Sequence, residues 1–154
     1  MANKSKEKEK VVLASGVFDL LHLGHVRFLE AAKKAGGPKA KLIVIIARDK
    51  TAERRKGKRP IMSENQRCAL VESLKIVDCA FLGLEKFDIG KVIDAIKPDV
   101  IAVGYDQEGM EKTVRDYVRQ RGLATKIVRL GKFEEDELDS SSKIKQKIIE
   151  DFAR

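Results

Sequence analysis

Five short apolar runs alternate with segments of helical character along the chain, and that alternation restricts the fold more than any other feature. The runs are VVLAS (11–15), KLIVIIA (41–47), VDCAFLG (77–83), DVIAVG (99–104) and KIVRL (126–130). KLIVIIA is almost unbroken, the pattern of a strand buried on both faces. Between the runs lie VRFLEAAKKA (26–35), which Gly36-Gly37-Pro38 stops, and a helix that Ser63-Glu64-Asn65-Gln66 opens as a capping box and that runs to about Leu74. Ile89–Lys97 ends at Pro98, a helix near Glu111–Arg121 ends at Gly122, and Ser140-Ser141-Ser142 opens a last helix, Lys143–Phe152. The stretch 48–59 reads as a basic loop. Strands alternating with helices imply an α/β fold, an open parallel five-stranded sheet with helices on both faces.

A chain of 154 residues with 43% hydrophobic content is long enough to bury its own core. Residues 1–10 read as a flexible basic tail and 11–154 as a single domain. Two cysteines, Cys68 and Cys79, exclude a disulfide scaffold and are expected in the core. No run approaches the ~20 apolar residues of a membrane span, and MANKSKEKEK lacks the apolar stretch of a secretory signal. The expectation is a cytoplasmic protein with no membrane partner. The net charge of +8 points to an anionic partner, and residues 48–59 hold seven bases against two acids. A nucleic-acid-binding module is disfavoured, because aromatics are 5% with no Trp and no interleaved basic-aromatic face.

In open parallel sheets ligands bind beyond the carboxyl ends of the strands, near the point where strand order reverses. The turn after the first run reads Gly16-Val17-Phe18-Asp19-Leu20-Leu21-His22-Leu23-Gly24-His25. It sets two histidines at a helix start, where free N–H groups and the dipole attract anions. Imidazole N–H groups donate to phosphate oxygens, and the dipole favours uncharged rings. Gly24 is expected to let a ligand approach the backbone. The competing reading of a bare His-x-x-His is two surface or capping histidines. A zinc site would need two further ligands, and neither cysteine has metal-ligand spacing, so no metal ligand is assigned.

The string GVFDLLHLGH (16–25) resembles the GxFD…HxGH motif of the HxGH nucleotidyltransferases, Rossmann-like enzymes that move a nucleotidyl group from a nucleoside triphosphate to a phosphate-bearing acceptor. ARDKT (47–51), KGKRP (56–60), KPDVIAVGYDQ (97–107) and LDSSSKI (138–144) extend the likeness and are most similar to the archaeal FAD synthases. Glycerol-3-phosphate cytidylyltransferases share the architecture, but their RTxGIST motif aligns with EDELDSS (135–141), which puts Glu135 where they carry Arg.

The resemblance implies in-line attack of the FMN phosphate on the α-phosphorus of ATP, giving FAD and pyrophosphate, with no covalent intermediate. It makes His22, His25, Lys56 and Lys75 catalytic candidates. Nucleotide contacts would come from Gly16, Val17, Phe18, Asp19, His22, Leu23, Gly24, His25, Lys58, Tyr105, Asp106, Ser140, Ser141 and Ser142. Lys56 and Lys58 would clamp the triphosphate, or else be a solvated loop. The three serines would hold phosphate, cap the helix, or both. Asp106 would face ribose or base, or cap a helix, and Lys75 is equally an ordinary lysine at a helix end. Phe133 could stack on a ring, and Arg67 and Asp78 read as structural ion-pair formers. A divalent ion, Mg2+ by expectation, would bridge the phosphates. ATP and FMN are the expected partners, nucleic acid is not, and a homodimer is left open. The nearest rival is a cytidylyl- or adenylyltransferase with another phosphate acceptor, such as glycerol 3-phosphate.

Overall fold

The computed structural model describes residues 8–133 and 137–153. Five parallel strands form one sheet in the order β3-β2-β1-β4-β5. They are β1 (Val11–Gly16), β2 (Lys41–Ile46), β3 (Cys79–Leu82), β4 (Val100–Val103) and β5 (Lys126–Arg129). Six helices connect and flank them: α1 (Leu23–Ala35), α2 (Asp49–Lys56), α3 (Glu64–Glu72), α4 (Ile89–Ile96), α5 (Glu108–Gln120) and α6 (Ser141–Phe152).

Side chains of successive strand residues point to opposite faces, so each inner strand feeds two cores. Val12, Ala14, Leu42, Val44, Ile46, Val100 and Ala102 pack on one face against Leu29 and Ala32 of α1 and Val71 of α3. Leu13, Ile101 and Val103 pack on the other against Ile89 and Ile93 of α4 and Val114 of α5. Leu42, Val44 and Ile46 are fully buried, as the unbroken apolar run requires. Truncating any of them to Ala would cost about 2–5 kcal/mol.

The chain builds β1, β2 and β3 outward in one direction, then returns through α4 to lay β4 on the other side of β1. β1 and β2 stay in register from Val11↔Lys41 to Gly16↔Ile46. β1 and β4 are paired only from Val12↔Val100 to Ala14↔Ala102. The two strands therefore part at their carboxyl ends, and Gln107 fills the gap: its Oε1 accepts from Gly104 N at 2.8 Å and its Nε2 donates to Ser15 O at 3.1 Å.

Several expectations change. Most of the basic loop is helix α2: Arg48 is its N-cap, Asp49 sits in the first turn, Arg54, Arg55 and Lys56 in the last, and Gly57 closes it at φ 72°. Acid at the start and base at the end complement the helix dipole, but eight residues this charged show no apolar period to betray a helix. α5 begins at Glu108, earlier than expected, because Glu108 and Glu111 in its first turn outweigh Gly109. β3 is shorter than its apolar run, starting at Cys79. Cys68 is partly buried and packs against the core, whereas Cys79 is exposed on this edge strand, against expectation. Of the expected tail, residues 1–7 lie outside the described residues, while Lys10 O accepts from Lys41 N at 2.8 Å. Among the described residues no helix is long and apolar enough to cross a membrane.

Candidate active site

The turn after β1 is held in a conformation that few residues adopt freely. Phe18 and Leu20 have φ of 55° and 48°, each a cost of roughly 1–3 kcal/mol that surrounding contacts must override. Asp19 supplies two of them. Its Oδ2 accepts from Ile61 N at 2.8 Å and its Oδ1 from Met62 N at 2.9 Å. Ser141 Oγ donates to Asp19 O at 2.6 Å, which ties the turn to α6. Arg67, fully buried, donates to Val17 O at 2.6 Å, Ala47 O at 2.9 Å, Met62 O at 3.0 Å and Asp49 Oδ1 at 2.7 Å. One guanidinium thus fastens together the turns after β1 and β2, the segment before α3, and the start of α2. Burial pushes the Asp49 carboxyl up, but the Arg67 hydrogen bond and charge outweigh it and leave the group below the usual carboxylate range.

His22 is the N-cap of α1 and His25 lies in its first turn. The rings stack, with centroids 3.7 Å apart and planes 24° apart. Phe18 meets His25 edge-on at 5.3 Å and so backs the pair. The His22 backbone N–H donates to His25 Nδ1 at 3.3 Å, so the neutral His25 ring carries its proton on Nε2. Burial, the neighbouring His22 and the Lys56 charge push His25 down to about 3. Burial also lowers His22, against the charge of Asp139, which raises it. Both shifts disfavour a charged ring, and burial is the largest cause of each.

Lys56, the last residue of α2, is exposed and acts electrostatically on His25, so the structure brings it to the histidines. Lys58 is exposed just beyond. Ser140 caps α6 by accepting from Lys143 N at 3.2 Å, Ser141 is engaged with the turn, and Ser142 is exposed at the helix start. Tyr105 and Asp106 are exposed beyond β4 at the same edge of the sheet. Gly16, Val17 and Leu23 shape the turn: a Cβ on Gly16 would meet the Phe18 ring at 2.9 Å. Gly24 has a different reason from the expected one, since a Cβ there would meet Asp139 O at 2.6 Å. The neighbour it admits is the strand of chain leading into α6.

Lys75 is not brought to the site. It follows α3, where Lys33 Nζ reaches Ile76 O at 3.1 Å and Asp78 Oδ2 accepts from Leu42 N at 2.8 Å, at the amino edge of the sheet. The length of α1, roughly 15 Å or more, separates that edge from the histidines. Asp78 and Arg67 are structural, as expected. Phe133 is partly buried, and Glu135 lies outside the described residues. Gln107 and Asp139 were within motif strings but were not singled out. A Gln right after a strand-ending Gly and an acid before a serine cap were the available signals.

A narrow cavity opens beside the turn, on the α4 and α5 side, lined among others by Ser15, Gly16, Arg48, Arg55, Phe87 and Met110. The Arg55 guanidinium lies 4.5 Å over the Phe87 ring. Among the described residues no three His, Cys, Asp or Glu side chains gather to hold a metal ion.

The comparisons agree with this geometry. An FAD synthase of Methanothermobacter marburgensis is 48% identical over 90% of this chain and 85% of its own. Those of Thermoplasma volcanium and Ferroglobus placidus are 46% and 50% identical over 90% and 91% of this chain, and 94% and 88% of theirs. The crystal structure of a lipopolysaccharide core biosynthesis protein from Thermoplasma volcanium superposes with a TM-score of 0.73 at 45% identity, over 82% of this chain and 100% of that one. Pantothenate synthetase from Thermus thermophilus, 17% identical with a TM-score of 0.55, shares the fold over 84% of this chain and 58% of its own. With a match to the family over residues 13–147, and with the histidine turn at the reversal of strand order, the chain belongs to the cytidylyltransferase-like family.

Proposed function

We propose that this protein is an FAD synthase, transferring AMP from ATP to FMN. The observation that carries the reading is 46–50% identity to proteins of that name over nine-tenths of the chain. A phosphate oxygen of FMN attacks the α-phosphorus in line, the bond from that phosphorus to the bridging oxygen of the β-phosphate breaks, and pyrophosphate leaves. The attacking monoester is already ionised near neutral pH, so no general base is required, and the protein contributes positioning and charge stabilisation. The neutral His25 offers Nε2–H to the α-phosphate from the N-terminus of α1. Lys56 and Lys58 neutralise the departing pyrophosphate. The start of α6, with Ser142, adds a second anion-favouring helix end. A divalent ion brought with the triphosphate, Mg2+ by expectation, would add to the neutralisation of the departing charge. These substrates make the cytoplasm its place of work.

The cavity between Arg55, Phe87 and Met110 supports FMN as acceptor. The Arg55–Phe87 stack at its edge offers a flat surface for a planar fused ring. Consecutive residues of α2 point about 100° apart, so Arg55 faces this cavity while Lys56 faces His25. Acceptor and donor would thus meet across the end of one helix. Incubation with ATP and FMN should yield FAD and pyrophosphate by mass. Unmodified FMN alongside cytidylylated glycerol phosphate would overturn the substrate assignment.

A further inference from the structure

Two buried polar atoms near the histidine turn have no hydrogen-bond partner among the described residues: His22 Nδ1 and Asp139 Oδ2. Their residues meet beside Gly24. The point where a Cβ on residue 24 would lie is 3.0 Å from His22 Nδ1 and 2.6 Å from the Asp139 carbonyl oxygen. Only the absence of a side chain on Gly24 lets the two residues share it. Asp139 has a side-chain exposure of 2%, and its other oxygen, Oδ1, accepts from Lys143 Nζ at 2.8 Å. A buried carboxylate oxygen and a buried ring nitrogen left unpaired would each cost about 1–3 kcal/mol or more, so each calls for a partner.

We propose that Asp139 is a positioning residue for His22, its Oδ2 accepting from His22 Nδ1–H across one water. The inference rests on the nucleotidyl-transfer reading of the site and deepens it. The two histidines then have opposite tautomers. His25, whose Nδ1 accepts from the His22 backbone, presents Nε2–H as a neutral donor. His22, with its proton on Nδ1, presents a bare Nε2. It can donate to the α-phosphate only after taking up a second proton, and Asp139 stabilises that imidazolium. The proton stays on His22 through the reaction, and no bond to the ring forms or breaks. His22 therefore supplies a charge-assisted contact to the oxygens on which charge builds. The charged groups acting on this pair are Asp139, which raises His22, and Lys143 and Lys132, which lie against Asp139 and favour its ionised form. Lys56 and Asp19 act on the adjoining His25.

The chain contains only two histidines, so imidazole 15N spectra of the full protein with α,β-methylene-ATP are assigned by a single variant. Wild type should show His22 protonated at Nδ1 and His25 at Nε2. Asp139→Asn keeps the shape and the Gly24 contact. It should lower the His22 pKa, move the alkaline limb of kcat to lower pH, and reduce kcat by less than the roughly 10²–10³-fold of losing a donor outright, with little change in KM for ATP. Lys143→Met should shift the His22 pKa the opposite way, which keeps the test alive if the Asn variant folds poorly. An Nε2–H tautomer of His22 in wild type, or a His22 titration unmoved in both variants, overturns the proposal. The spectra need no acceptor, so a failure to adenylylate FMN would count against the substrate assignment alone.

Discussion

The imidazoles of His22 and His25 lie face to face at 3.7 Å between centroids. Two positive charges at that separation would repel by roughly 4 kcal/mol at an effective dielectric of about 20, so the pair does not hold two protons near neutral pH. His25 is held down to about 3, whereas in the unfolded chain it takes up a proton near 6.5. Between these values the unfolded chain binds more protons, so the folded state loses stability as pH falls from ~6.5 towards 3. Denaturant unfolding at pH 7.5 and 4.5 should show this loss, and His25→Asn should make it smaller. A pH dependence unchanged by the substitution would show that His25 is not the group responsible.

Replacing His22 or His25 by Ala should reduce kcat by roughly 10²–10³-fold and raise KM for ATP less. Steady-state kinetics with ATP and FMN read both. Near-normal turnover in the two variants would leave the histidines as helix-capping residues only.

Lys56→Ala with Lys58→Ala should raise KM for ATP and slow turnover while leaving the melting temperature within a degree or two, because exposed lysines contribute little to folding. Lys56→Ala should also raise the His25 pKa, since its charge is among those depressing it. Lys75→Ala, at the opposite edge of the sheet, should keep wild-type kinetics. Retained activity of the double variant together with lost RNA or DNA binding would reassign α2 to a polyanion.

Arg67→Met removes the charge that Asp49 and three carbonyls depend on. A loss of about 3–5 kcal/mol is expected, the cost of stranding a buried charge. Arg67→Lys should not restore it, because an ammonium cannot reach four acceptors in the guanidinium plane. Urea midpoints would measure both. A loss below ~1 kcal/mol for Met would mean that the four bonds contribute little.

What could be read from the residues followed from local chemistry. The five apolar runs located every strand because burial dictates their composition, and the histidine turn stood out because helix start, glycine and imidazoles coincide in ten residues. The roles of individual residues inside that turn were less legible. Asp19 looks like a ligand contact in sequence, yet both its oxygens accept from Ile61 and Met62, more than forty residues away. Gly24 looks like an opening for a ligand, yet the chain before α6 occupies it. Helix α2 was hidden because its charges are ordered for the dipole and not for a buried face. For Asp19 and Gly24 a partner distant in sequence decides the role, and no local pattern announces it.

The bond from Ser141 to Asp19 O joins positions 122 residues apart. As the chain leaves the ribosome, the histidine turn emerges early, but this last tether on its strained backbone arrives only with α6. An incomplete chain therefore carries the whole motif without one of the contacts that hold its working shape. The last of those contacts is in place only once α6 has been made.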